Sequence, residues 1–306
     1  MTVFIIRRLV MLVPTLAGVT LAVFLMLHLT PGDPITLMLG EFASATEVAR
    51  LRNELGLDRP LLVQYLKYME RTFHGDLGTS IRSQRAVLDE IADRLPWTLQ
   101  LAFAAMTLAI FVGIPMGVIA ATTRNPAIDS VVTVFSLLGL SMPTFWSGLL
   151  LILLFSLTLG WFPITESHGL RALVLPAVTL AAPAAAVLAR MTRSSVLEVL
   201  RQEYIRTARA KGLLERVVVY KHALRNAMIP ILTVAGLQFG GLLAGAVIVE
   251  SVFARPGLGR LTVNAVLSRD FPLAQGVVLV IAAMYVFVNL AVDVLYGLLD
   301  PRIRYH

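Results

Sequence analysis

The chain has 306 residues, of which 57% are hydrophobic and 15% charged, with a net charge of +7 and no cysteine. So apolar a chain of this length reads as a membrane protein, and it is too rich in bulky side chains to be disordered. Without thiols there is no disulfide framework and no thiolate metal or redox site, and in a membrane protein a surplus of Lys and Arg serves orientation before it serves nucleic acid.

The first element is the charge-free run 9–27 behind Arg7 and Arg8. It is longer than the about 7–15 residues of a signal-peptide core, and no small-x-small cleavage pattern follows, only HLTPGDP, so it reads as a retained span. A long loop follows. In its segment 46–72, Val48, Leu51 and Leu55, then Leu62, Tyr65, Leu66 and Met69, recur at helical spacings around Pro60. Such a segment suits either a lid packed on its own helices or a dock for a substrate-binding protein.

Five more charge-free runs lie at 95–123, 130–165, 172–189, 226–249 and 271–292. Each is about as long as the roughly 17–25 residues that cross a bilayer as helix, apart from the 36-residue third, which is too short for two spans with a turn. We read that run as one span ending at Gly160-Trp161-Phe162-Pro163, an aromatic and helix-breaking terminus suited to the interface. Pro115, Pro143, Pro176 and Pro183 fall inside spans and predict kinks. The expected fold is all-α: one polytopic domain, 1–306, with spans at about 9–29, 97–122, 131–158, 172–190, 227–249 and 273–297. Loops 30–96 and 190–226 lie on opposite sides, and the two termini share a side.

With the N-terminus in the cytosol, basic residues number fourteen inside against four outside once the first loop is set aside. That loop carries ten acids and eight bases, and long loops cross largely regardless of charge. Loop 190–226, with nine cations, is therefore cytosolic. In it Leu197, Leu200, Tyr204 and Ala208 recur at spacings of three and four, which predicts a helix with Arg201, Arg206 and Arg209 turned away. Gly212 interrupts the pattern and can take the left-handed conformation that ends a helix. Helical spacing resumes from Leu213 towards Pro230. Two readings stand side by side: cations meeting anionic headgroups, or a compact corner of small residues (Thr207, Ala208, Ala210, Gly212) that fits a groove of another protein.

Gln238, Asn289 and Asp293 within spans, and Glu250 at the outer end of the fifth, are candidate pathway groups because polar side chains are costly in lipid. Helix-to-helix hydrogen bonding, or for Glu250 and Asp293 nearness to water, explains them too. Gly236, Gly240, Gly241 and Gly245 form small-xxx-small patterns that favour close packing, within the chain or against a second subunit. Enzyme signatures are missing: the lysines are Lys67, Lys211 and Lys221, none in a Gly-Lys-Ser/Thr phosphate loop, the five histidines show no ligand pairing, and Gly-x-Ser-x-Gly does not occur. No catalytic residue and no metal site is expected.

The segment YIRTARAKGL at 204–213, with KHALRNAMIP at 221–230, resembles the cytosolic coupling loop of binding-protein-dependent ABC importer permeases, in the branch that moves dipeptides, oligopeptides, glutathione or nickel. PGDP at 31–34, HGDLGTSIRSQRAVLDEIADRLPWTL at 74–99, PGLGRL at 256–261 and DPRIRY at 300–305 extend the resemblance over almost the whole chain. It departs from the general Glu-Ala-Ala pattern, holding Arg206 and Thr207 where Glu and the first Ala stand and keeping Ala208. The resemblance implies a type I ABC importer permease in a bacterial or archaeal cytoplasmic membrane. It also implies a second homologous permease, two ATPases that bind ATP and Mg, an extracytoplasmic binding protein, and no cofactor held by this chain. Tyr204, Arg206, Thr207, Ala208, Arg209, Ala210, Lys211, Gly212, Leu213 and Leu214 would form the ATPase-coupling segment, centred on the corner from Arg209 to Leu214. His28 reads as an interfacial side chain rather than a nickel ligand, and nickel ranks lowest among the cargoes. The competing class is an ion-gradient-driven secondary transporter or channel, against which stand the missing acid relay and the lack of matching interrupted halves.

Overall fold

The computed structural model describes residues 2–29, 44, 46, 52–53, 58–123, 125–163 and 169–299. PGDP at 31–34, DPRIRY at 300–305, Val48, Leu51, Leu55 and the His28 side chain lie outside the described residues. In chain order the helices are α1 (Thr2–Leu29), α2 (Leu61–Phe73), α3 (Val87–Thr122), α4 (Pro126–Ser141) and α5 (Thr144–Thr158). They continue with α6 (Leu170–Leu200), α7 (Glu203–Ala210), α8 (Glu215–Val252), α9 (Leu258–Leu267) and α10 (Phe271–Leu299).

Four of these, α3, α6, α8 and α10, are long and apolar enough to cross a membrane. A fifth crossing results if α4 and α5 together make one span. In α1 the apolar stretch Val10–Met26 is shorter. The third expected span is thus broken, bending by 108° between α4 and α5. Pro143 accounts for the break: it cannot donate to the preceding turn, and it forces Met142 into an extended conformation (φ −81°, ψ 126°) that ends α4. At the other end of α4, Asn125 Oδ1 accepts from the Ala127 amide at 3.0 Å and Pro126 occupies the first helical position, a start that uses no orphan donor. Pro176, Pro183 and Pro230, by contrast, lie inside continuous helices.

The chain forms two compact units. The first comprises Leu99–Arg255 and the segment from Phe287 onward. Its centre is α6, 72% of whose apolar window is buried, against 11% for α10. Small side chains make this possible: Ala177, Ala181, Ala184, Ala185 and Ala189 let α6 meet its neighbours closely. On α3, Gly113 and Gly117 let the backbones of α3 and α6 approach closely, since a Cβ on Gly117 would lie 2.5 Å from the Ala189 carbonyl oxygen and from Thr192 Cβ. Gly236 of α8 is likewise filled against Val292 of α10, and Gly245 faces Leu180 of α6. The glycine pattern of the fifth apolar run is therefore partly spent inside the chain, rather than kept whole for a second subunit.

The second unit comprises Thr2–Thr98 and Pro256–Val286. Val87 and Ile91 of α3 pack with Leu258, Leu261 and Ala265 of α9 and Leu273, Ala274 and Val277 of α10. Asp270 ties this unit together. Its carboxylate is buried and accepts from Ser80 Oγ at 2.5 Å and from the amides of Ile81 at 3.2 Å, Arg82 at 3.3 Å and Leu273 at 3.3 Å. It so caps the start of α10, where a negative charge meets unsatisfied amides, and pins the turn at 80–82.

Candidate functional site

The expected helix through Leu197, Leu200, Tyr204 and Ala208 is two helices. α6 ends at Leu200, Arg201 and Gln202 turn, and α7 begins at Glu203. The break resets the phase. Ile205 and Ala208, three residues apart, are the buried pair, packed with Val218 and Ala223 of α8 and with Val199 and Leu200, while Tyr204 is exposed. Burial of Ile205 contributes about 2 kcal/mol to holding this short helix, which is too short to persist alone.

Gly212 ends the helix as the sequence implies. Its φ is +76°, its amide donates to the Arg209 carbonyl at 3.0 Å, and the Leu213 amide reaches back to the Ala208 carbonyl at 3.4 Å. These two bonds make a Schellman terminus, which needs a left-handed residue at that position. Arg209 grips Glu215 across the corner with two of its three guanidinium nitrogens, Nη2 to Oε1 at 2.6 Å and Nε to Oε2 at 3.1 Å. The Glu215 hydrogen bonds hold the Arg209 guanidinium above its ordinary pKa. Arg206 pairs with Glu203 at 2.9 Å, the Thr207 hydroxyl donates to the Glu203 carbonyl at 3.1 Å, and Asn226 Nδ2 donates to the Tyr204 hydroxyl at 2.7 Å. Ala210, Lys211, Leu213 and Leu214 stay exposed, Leu214 at 75%. The corner is thus anchored beneath by Ile205 and Ala208, braced by Arg209 and Glu215, and presents apolar tips among cations.

The pathway candidates do not form one cluster. The contact of Gly236 with Val292 puts Gln238, Asn289 and Asp293 within about a turn of the crossing of α8 and α10. Asn289 Oδ1 is buried with no hydrogen-bond partner among the described residues. Glu250 lies twelve residues beyond Gln238, about 18 Å along the helix. It is not near water: it is fully buried, in the neighbourhood of a second buried charge, Arg255. Arg255, 2% exposed, donates through Nη2 to Gln100 Oε1 at 3.2 Å and through Nη1 to the Ala172 carbonyl at 3.5 Å, and Glu250 attracts it electrostatically. The available signal was two opposite charges five residues apart at the end of an apolar run. Among the described residues no group of three or more potential metal ligands gathers.

Comparison with known proteins gives this geometry a context. Residues 113–305 match the family "Binding-protein-dependent transport system inner membrane component", and residues 1–102 match the corresponding N-terminal family. The chain is 47% identical over 302 residues to the "Glutathione transport system permease protein GsiC" of Salmonella choleraesuis (strain SC-B67), covering 99% of each chain. It is 46% identical over 313 residues to a Brucella abortus (strain 2308) protein named "Putative peptide transport system permease protein", covering all of both. Among solved structures, an inward-facing MetNI methionine ABC transporter chain superposes with a TM-score of 0.59 at 20% identity, covering 70% of this chain and 97% of that one. At that identity the likeness concerns the fold alone.

Proposed function

The chain belongs to the family of binding-protein-dependent transport system inner membrane components, and from that premise we propose that it is the permease subunit through which a partner ATPase drives peptide uptake. In this reading six spans cross the membrane, both termini are cytosolic, and a second permease completes the pathway. An extracytoplasmic binding protein delivers the cargo. ATP and Mg are held by the ATPase subunits, and this chain contributes no catalytic group. The cargo class is short peptides, among them glutathione, itself a tripeptide, in keeping with what the relatives are named for.

The observation that carries the reading is the corner from Arg209 to Glu215. A short helix anchored at Ile205 and Ala208, ended by a left-handed glycine and braced by an ion pair, is stiff enough to transmit a push. Its exposed Leu213 and Leu214 give a partner an apolar hold. Motion there passes directly into α8, because Glu215 begins that helix. The ion-gradient alternative finds no support in the family to which the chain belongs. The test is reconstitution with a second permease and candidate ATPases in vesicles: loaded binding protein is expected to stimulate ATP hydrolysis several-fold. Failure to form a stable complex with any ATPase sinks the reading.

A further inference from the structure

Helix α2 is held against α1 deeper than an aqueous loop would reach. The Tyr65 hydroxyl lies 3.0 Å from Thr20 Oγ1 and 3.2 Å from the Ala17 carbonyl oxygen, and the rings of Tyr65 and Tyr68 pack on Phe24 with centroids 5.4 and 5.9 Å apart. Ala17, Thr20 and Phe24 all belong to the apolar stretch Val10–Met26. At 1.5 Å per residue, Thr20 sits about 9 Å inside the end of that stretch at Met26. That is the depth at which an amphipathic helix rests between headgroups and acyl chains, about 5–10 Å in.

The rest of α2 agrees with such a seat. With 100° between successive residues, the arc that touches α1 through Tyr65 and Tyr68 continues into Leu62, Leu66 and Phe73. These are exposed at 69%, 58% and 81%, although all are strongly apolar. The opposite arc carries Lys67, Glu70 and Arg71, also exposed. An apolar arc that prolongs the contact with a membrane-depth helix faces acyl chains.

We propose that α2 is an interfacial helix, with Leu62, Leu66 and Phe73 seated against lipid acyl chains and Lys67, Glu70 and Arg71 turned to water. It anchors the long first loop at the membrane surface. The proposal rests on α1 being a membrane span, so the test reports on both. The chain has no native cysteine, which allows spin labels at single sites: Leu62→Cys, Leu66→Cys, Phe73→Cys, Lys67→Cys and Glu70→Cys on α2, and Val13→Cys and Leu21→Cys on the exposed face of α1. The assembled transporter is placed in phosphatidylethanolamine and phosphatidylglycerol vesicles, and collisions are measured with oxygen, which concentrates in lipid, and with a water-soluble nickel complex. The oxygen-to-nickel ratio is expected to be several-fold higher at 62, 66 and 73 than at 67 and 70, and high at 13 and 21. If nickel reaches 62, 66 and 73 while 13 and 21 stay in lipid, the proposal fails and α1 remains a span. Shielding of 62, 66 and 73 from both reagents, as under a protein partner, also overturns it. If nickel reaches 13 and 21, α1 is not a span and the proposal falls with that reading.

Discussion

Glu250 and Arg255 are two opposite charges withdrawn from water, Glu250 attracting the guanidinium while Gln100 and the Ala172 carbonyl accept hydrogen bonds from it. A charge left behind when its partner is removed keeps its desolvation cost and loses the attraction that offset it, whereas removing both leaves an apolar site. Replacing Glu250 alone by Leu is therefore expected to destabilise the protein by about 3–5 kcal/mol. The double replacement Glu250→Leu, Arg255→Met recovers most of that loss. Thermal unfolding of the purified protein in detergent measures both, and equal losses in single and double variants would mean that the attraction contributes little. The sequence supplied the two residues but not their pairing. Proximity across a helix end and a following turn depends on the backbone reversal at Ala254, whose φ is +53°, and nothing in the local pattern announced that reversal.

At the scale of elements, what was legible followed from backbone chemistry. Pro143 breaks the third apolar run because it lacks an amide hydrogen, and Gly212 ends α7 because it tolerates positive φ. What was not legible depended on phase and on partners. One turn at Arg201–Gln202 moved the buried face of α7 from Tyr204 to Ile205, and the glycines of α8 found partners on α6 and α10 that no local rule identifies. The Gly113 and Gly117 approach to α6 obeys the same small-residue logic, with spacing Gly-x-x-x-Gly in the second apolar run. The Gly212 argument yields a prediction with an internal control. A Cβ there meets nothing within 4 Å, so substitution acts through the backbone alone. A β-branched residue in that conformation costs roughly 1–2 kcal/mol or more, while Asn adopts it readily. Gly212→Val is expected to loosen the corner, so that uptake into vesicles falls several-fold while ATP hydrolysis and membrane insertion persist, and Gly212→Asn keeps both activities. Normal uptake by the Val variant would count against the corner as the coupling element.

For the whole molecule, topology turns on α4 and α5, which bend by 108° and either cross the membrane or return to the side they came from. Each helix of the pair is too short to span alone, since about 20 residues are needed and α4 has 16. Parity makes the two cases distinguishable. Between Lys67 and Lys211 lie α3, the bent pair and α6, so the two lysines face opposite sides if the pair crosses and the same side if it does not. The asymmetry of fourteen basic residues against four favours a crossing, because a returning pair would place loop 190–226, with its nine cations, on the same side as the first loop. In a chain of this inner-membrane, multi-pass family that contains no cysteine, the test is direct. Lys67→Cys in intact cells is expected to react with a thiol reagent that cannot cross the inner membrane, and Lys211→Cys only after that membrane is opened. Labelling of both in intact cells would show that α4 and α5 form a re-entrant loop. It would also put the corner at Gly212 out of reach of any cytosolic ATPase, so this parity decides whether the coupling mechanism is geometrically available at all.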